Sequence, residues 1–144
     1  MACTLTLSLI SESQEGDVGD DWKYELETKV FSGALAGQGT ISVPKHQLAS
    51  GETQEPHGNP AAIAIPAGEP GAEIKINLKL TATEVDLFRD DSGTQNTSIV
   101  MVAPHSGGEK VVKEADLSVG VVEMPGQMSS AVFTLRIGLA LASD

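Results

Sequence analysis

Between Glu73 and Ala82 the side chains alternate without interruption. Ile74, Ile76, Leu78, Leu80 and Ala82 fall on one side of an extended backbone, and Lys75, Asn77, Lys79 and Thr81 fall on the other. A period of two belongs to a strand with one face buried. The same register runs on into carboxylates. Glu84 and Asp86 continue the face of Ala82, and the chain then breaks into Asp90-Asp91-Ser92-Gly93. Same-face residues two apart on a strand lie roughly 7 Å from each other. A core strand, Glu73–Asp86, therefore ends in a set of converging acids. A second acidic cluster, Glu12 to Asp21, follows the first strand.

The alternation recurs along the chain. Leu5, Leu7 and Leu9 alternate with Thr4, Thr6 and Ser8, and Trp22, Tyr24 and Leu26 alternate with Lys23, Glu25 and Glu27 in a strand reaching Phe31. Shorter strands are predicted at Thr40–Val43, Ala62–Ile65 and Ser98–Ala103. Longer ones are predicted within Lys110–Val122 and from Phe133 to Leu141. The segments between them are read as loops: Glu12–Asp21, a glycine-rich turn at Gly33–Gly39, a polar stretch from Pro44 to Pro60, and a loop from Asp86 to Asn96. Pro44 is a candidate start for one helical turn that Gly51 would end. Eight short strands with Gly/Pro turns and no long amphipathic helix define an all-β fold, an eight-stranded antiparallel β-sandwich spanning residues 1–144 as one domain. Only five of the 144 residues are aromatic, so the core must be aliphatic; Trp22 and Tyr24, which alternate with charged residues, are expected inside it.

Charge narrows the function. Nine basic against twenty acidic residues give a net charge of −11. Nucleic acid, whose phosphates demand Lys and Arg, is disfavoured, and so is direct attraction to anionic lipid. Cation binding, basic partners or simple solubility fit. A single cysteine, Cys3, excludes an intrachain disulfide and a cysteine-based zinc cluster. The N-terminus alternates where a signal peptide would carry a basic region and an apolar block, and no stretch approaches a membrane span. The expected location is cytoplasmic.

In an antiparallel arrangement, the loops after the first, third, fifth and seventh predicted strands share one end of the domain. They carry Glu12, Glu15, Asp17, Asp20 and Asp21; Glu52 and Glu55; Glu84, Asp86, Asp90 and Asp91; and Glu123. Their only bases are Lys45 and Arg89. Like charges held close repel unless a proton or cation joins them. Calcium, with six to eight oxygen ligands and tolerance of irregular loops, suits such a set better than magnesium.

With acidic loops after its first and fifth strands, the chain resembles a C2 domain of the permuted topology. The resemblance covers the whole architecture, with local motif support at Gly16–Tyr24 and Thr83–Gly93. It implies calcium held between these loops and docking on a protein or, bridged by calcium, on an anionic membrane. The Asp-x-Asp element of such domains would correspond to Glu84-Val85-Asp86, with the later acid at Asp90 or Asp91. The first-loop acids would be Asp17 and one of Asp20 or Asp21. Glutamate here replaces an aspartate, the Ser-Asp-Pro-Tyr of many first loops is Asp20-Asp21-Trp22-Lys23-Tyr24, and no basic lipid-binding strand is present.

Catalytic signals are thin. His46, His57 and His105 lie in Pro/Gly-rich loops where solvent is the default, and His105 falls at the opposite end from the other two. No Gly-x-Ser-x-Gly elbow or phosphate loop occurs. Glu84 and Asp86 would suit acid–base work on a sugar, but aromatic stacking surfaces are scarce. Phe88, among the loop acids, is either an apolar contact tip or a lid on the core. The expected function is a non-enzymatic, calcium-binding module. The alternative is a structural or adhesive sandwich that self-associates without metal.

Overall fold

The computed structural model describes residues 2–56, 61–86, 90–105, 107, 109–123 and 129–143. They form nine strands: β1 (Cys3–Gly16), β2 (Asp21–Ser32), β3 (Ala34–Gln47), β4 (Thr53–Gln54), β5 (Ala62–Gly68), β6 (Glu73–Glu84), β7 (Asp91–Val102), β8 (Lys110–Val122) and β9 (Ser130–Ser143). Two antiparallel sheets make a β-sandwich. One has the order β4-β1-β9-β8, with β5 also paired to β1; the other has the order β3-β2-β6-β7. No helix among the described residues is long and apolar enough to cross a membrane.

The core is aliphatic, as the composition requires. Leu5, Leu7, Leu26, Ile74, Ile76, Leu78, Leu80, Leu135 and Leu139 are all buried. Its three buried aromatic rings gather in one place: Trp22 stacks on Phe133 with ring centroids 5.6 Å apart, and Tyr24 lies 5.0 Å from the same Phe133 ring. Trp22 and Tyr24 are thus core residues.

Several predicted loops are strands. The Gly33–Gly39 stretch forms the first part of β3, with only Gly33 left as the turn from β2. Its glycines serve a close approach between the sheets: a Cβ on Gly37 would stand 2.4 Å from the Pro66 carbonyl oxygen of β5. No helical turn starts at Pro44, which continues β3. β3 is an edge strand, and there a missing N–H costs no ladder bond. The segment from Asp91 to Asn96, read as loop, belongs to β7 and pairs with β6 over the full length of that strand. Gly93 again marks a close approach, since its Cβ would stand 2.2 Å from the Gly120 carbonyl oxygen of β8.

Glu12–Gly16, also read as loop, is the second half of β1, paired with β9 as far as Gly16↔Ala131. Its alternation was hidden by a β-bulge. The register with β9 slips between Leu9 and Ser11, so Ile10 is the extra residue. A bulge reverses which residues face inward. Leu5, Leu7 and Leu9 are buried before it; Glu12 and Gln14 are buried after it. β3 does the same where its register with β2 slips between Trp22 and Tyr24. Ile41 and Val43 are buried before that slip and Leu48 after it.

Candidate functional site

The two acidic clusters meet. The β1–β2, β3–β4, β6–β7 and β8–β9 connections share one end of the sandwich and are tied together by backbone hydrogen bonds. Leu48 N donates to Asp20 O (2.8 Å), Val85 N to Asp21 O (2.7 Å) and Asp17 N to Ser130 O (3.1 Å). Two buried side chains brace the β1–β2 connection from beneath: Gln14 Nε2 donates to Gly19 O (3.1 Å) and Leu48 O (2.9 Å), and Trp22 Nε1 donates to Gly19 O (3.0 Å).

Glu84 lies at the junction. The inward register of Ile74 to Ala82 delivers it to the buried face of β6, opposite Trp22 on one side and Asp91 on the other. It is 4% exposed and Asp91 is 6% exposed. Glu84 Oε2 is buried without a hydrogen-bond partner among the described residues. Its carboxylate points at the β1–β2 connection, where a Cβ on Gly19 would stand 2.1 Å from Glu84 Oε1. Burial, then the neighbouring charges of Asp86, Asp91, Asp21 and Asp90, push the Glu84 carboxyl up to about 7. Near neutrality it therefore holds a proton part of the time, because this corner disfavours another negative charge.

Of the seven acids singled out in the sequence, five converge electrostatically: Asp21, Glu84, Asp86, Asp90 and Asp91. Asp86 N also donates to Asp90 Oδ1 (3.2 Å), which folds the β6–β7 connection back on itself. Asp17 is engaged elsewhere: its Oδ1 accepts from Ser130 N (3.0 Å) at the start of β9. Asp20 is exposed and contributes its backbone carbonyl to Leu48. Among the described residues no three His, Cys, Asp or Glu side chains stand close enough to enclose a metal ion as they lie. A cation would therefore have to draw the exposed Asp86 and Asp90 inward. Phe88, Arg89 and His57 lie outside the described residues.

Gly19→Ala tests the junction. The added methyl meets the Glu84 carboxylate, and overpacking of this kind costs about 1–3 kcal/mol. The expected fall in thermal midpoint is roughly 4–10 °C. In a Glu84→Ala background the part of the loss due to the carboxylate should vanish, while the part due to the Gly19 backbone at φ +154° remains; an undiminished loss there would mean that the carboxylate contact contributes nothing.

A second polar group was missed by sequence reasoning. Glu12, expected among the loop acids, is fully buried in β1. Tyr24 Oη donates to its Oε1 (3.1 Å), Gln54 Nε2 donates to its Oε2 (3.4 Å), and His46 Nε2 meets the same oxygen. His46, expected in solvent, is mostly covered. Its Nδ1 lies 2.8 Å from Pro44 O. A carbonyl only accepts, so Nδ1 is the donor to Pro44 O. These contacts join β1, β2, β3 and β4. Both His46 ring nitrogens are spent on them, which leaves no nitrogen to activate a hydroxyl. Burial and the facing Glu12 hold the Tyr24 phenol well above its usual range, so it acts as a permanent donor. The only sequence signal for this group was the adjacent apolar pair Leu9-Ile10, which breaks the alternation of β1. His105 sits at the other end of the sandwich, against Gly71.

No protein family, curated protein or solved structure matches the chain.

Proposed function

We propose that this chain is a non-enzymatic, C2-like binding module that takes calcium at its acidic end, between the β1–β2 and β6–β7 connections. The ion would draw on Glu84, Asp86, Asp90, Asp91 and Asp21. It would supply the positive charge that a chain of net charge −11 lacks, and so bridge the domain to an anionic group on a membrane or protein partner. The observation that carries this reading is Glu84: a buried carboxylate with an unpartnered oxygen, aimed into a corner that already holds four other acids. A hard divalent cation with oxygen ligands satisfies that oxygen and cancels the repulsion together. Asp17 and Asp20 would add to the negative field at this end of the sandwich.

The test is a thermal melt in millimolar calcium, in magnesium and in EDTA. A ligand at a hundred times its dissociation constant adds about 2.7 kcal/mol, or roughly 8–12 °C in midpoint for a domain of this size. Because Glu84 holds a proton near neutrality, calcium uptake at pH 7 should also release protons, read as a buffer-dependent binding enthalpy. No calcium-specific shift would sink the proposal. Given a shift, calcium-dependent sedimentation with phosphatidylserine vesicles separates a membrane partner from a protein one. A metal-free, self-associating sandwich is the second reading, and the observation in its favour lies on β7.

A further inference from the structure

β7 ends its sheet: it pairs with β6 on one side and with no described strand on the other. Sheet edges invite pairing with another chain, and proteins normally blunt them with charge, proline, bulges or cover. The other edges here all carry such devices. β3 has Pro44, two register slips and a close approach to β5 at Gly37. β5 contains Pro66 and a register slip against β1. β4 is two residues long. β8 carries Lys110, Lys113, Glu114 and Asp116, the last two paired with Arg136. β7 lacks charge, proline and bulge beyond Asp91, and is covered by β8 only in part. After Asp91 it reads Ser-Gly-Thr-Gln-Asn-Thr-Ser-Ile-Val-Met-Val, with no charge and no proline, and its register with β6 is unbroken. At Gly93 it lies against β8. Beyond that point its outer face ends in Val100 and Val102, which are 52% and 55% exposed.

We infer that the β7 edge pairs with the same edge of a second copy of this chain, antiparallel, joining two four-stranded sheets into one. Charge selects the place and the direction of contact between copies. Two copies of net charge −11 repel over most of their surfaces, whereas β7 meets itself without a like-charge contact beyond Asp91. Antiparallel pairing about Ser98 sets each copy's Val100 against the other's Asn96, and Val102 against Thr94. It also sends the two acidic ends to opposite poles, with the Asp91 residues about 48 Å apart at ~3.4 Å per residue. That is several times the screening length at physiological salt. Parallel pairing would bring the acidic ends side by side. An interface of one strand pair is small, so the dimer should be weak, with a dissociation constant on the order of tens of micromolar or above.

The experiment is sedimentation equilibrium on the whole chain in EDTA, from 10 to about 500 µM, at low salt and at ~0.3 M sodium chloride, where the copies' net-charge repulsion is screened. EDTA makes the outcome independent of the calcium proposal. The expected result is a mass that rises with concentration toward twice the monomer value, and does so more readily at high salt. Val100→Lys, at an exposed position, should weaken association about tenfold or more, while Val112→Lys on the β8 edge leaves it unchanged. A single monomeric species throughout would overturn the inference. So would a dimer indifferent to Val100→Lys, a dimer dispersed by Val112→Lys, or growth beyond the dimer.

Discussion

Glu12→Ala is expected to lower the thermal midpoint by roughly 10–20 °C. Glu12 is fully buried, accepts from Tyr24 and Gln54, and faces His46 Nε2. Removing it takes the carboxylate acceptor from Tyr24 Oη and the partner from His46 Nε2. Breaking a buried, hydrogen-bonded pair from one side costs about 3–5 kcal/mol, and each kcal/mol is worth about 3–5 °C in a domain of this length. Glu12→Gln should be far milder, at about 1 kcal/mol. Its amide oxygen still accepts from Tyr24, and its amide nitrogen donates to the Nε2 of a neutral His46 whose Nδ1 proton stays on Pro44. Only the long Gln54 contact is lost. Equal losses in the two variants, measured by calorimetry, would mean that the packing of the side chain matters and its hydrogen bonds do not.

Glu84→Gln should have the opposite sign in the absence of metal. The Glu84 carboxyl titrates at about 7 in the folded protein against an ordinary value of 4.5. The folded state therefore binds this proton more tightly than the unfolded chain does. The stabilisation is fully present below about 4.5 and is lost as pH rises through about 7. In EDTA the wild type should lose about 1–2 kcal/mol between pH 5 and pH 8, or roughly 4–8 °C, taking part of the shift as screened by solvent at this rim of the fold. Glu84→Gln carries no charge to repel, so it should melt higher than the wild type at pH 8 and show less fall across that range. It should also fail to gain from calcium. A variant that is more stable alone and blind to the ion is the pattern of a binding carboxylate held in an unfavourable place. A wild-type midpoint that does not fall between pH 5 and pH 8 would show that the corner is open to water and Glu84 is not cornered.

The parts of this protein that could be read from its sequence are those where period-two alternation runs uninterrupted. β6 is the clearest case. The register that buries Ile74 to Ala82 also carries Glu84 inward, so the acid at the junction was visible before any coordinates. β2 and β9 were visible for the same reason. The failures have physical causes that alternation does not record. Glycines at 37 and 93 looked like turns because glycine usually makes them; here they are strand residues where two sheets nearly touch. The polar run Ser92–Asn96 looked like a loop because an edge strand facing water has little need of apolar side chains. Glu12 and His46 were assigned to solvent because single extra residues, Ile10 in β1 and one at Pro44–Lys45 in β3, reverse the inward face between the hydrophobic signal and the polar group it positions.

Those two extra residues make the strands behave like a message read in frame. Upstream of Ile10, odd-numbered positions of β1 are written for oil; downstream, even-numbered positions are. Losing that one residue would change no other letter of the strand. It would also leave Ser11 opposite Arg136 and Glu12 opposite Leu135, so the strand would run regular with Glu12 and Gln14 still facing inward. A one-residue deletion in an exposed connection is usually absorbed. In β1 the outcome depends on the position: losing Ser13 instead would set Gln14 opposite Thr134, facing out, and take the brace from the β1–β2 connection, so tolerance of length change depends on phase within the strand more than on solvent exposure.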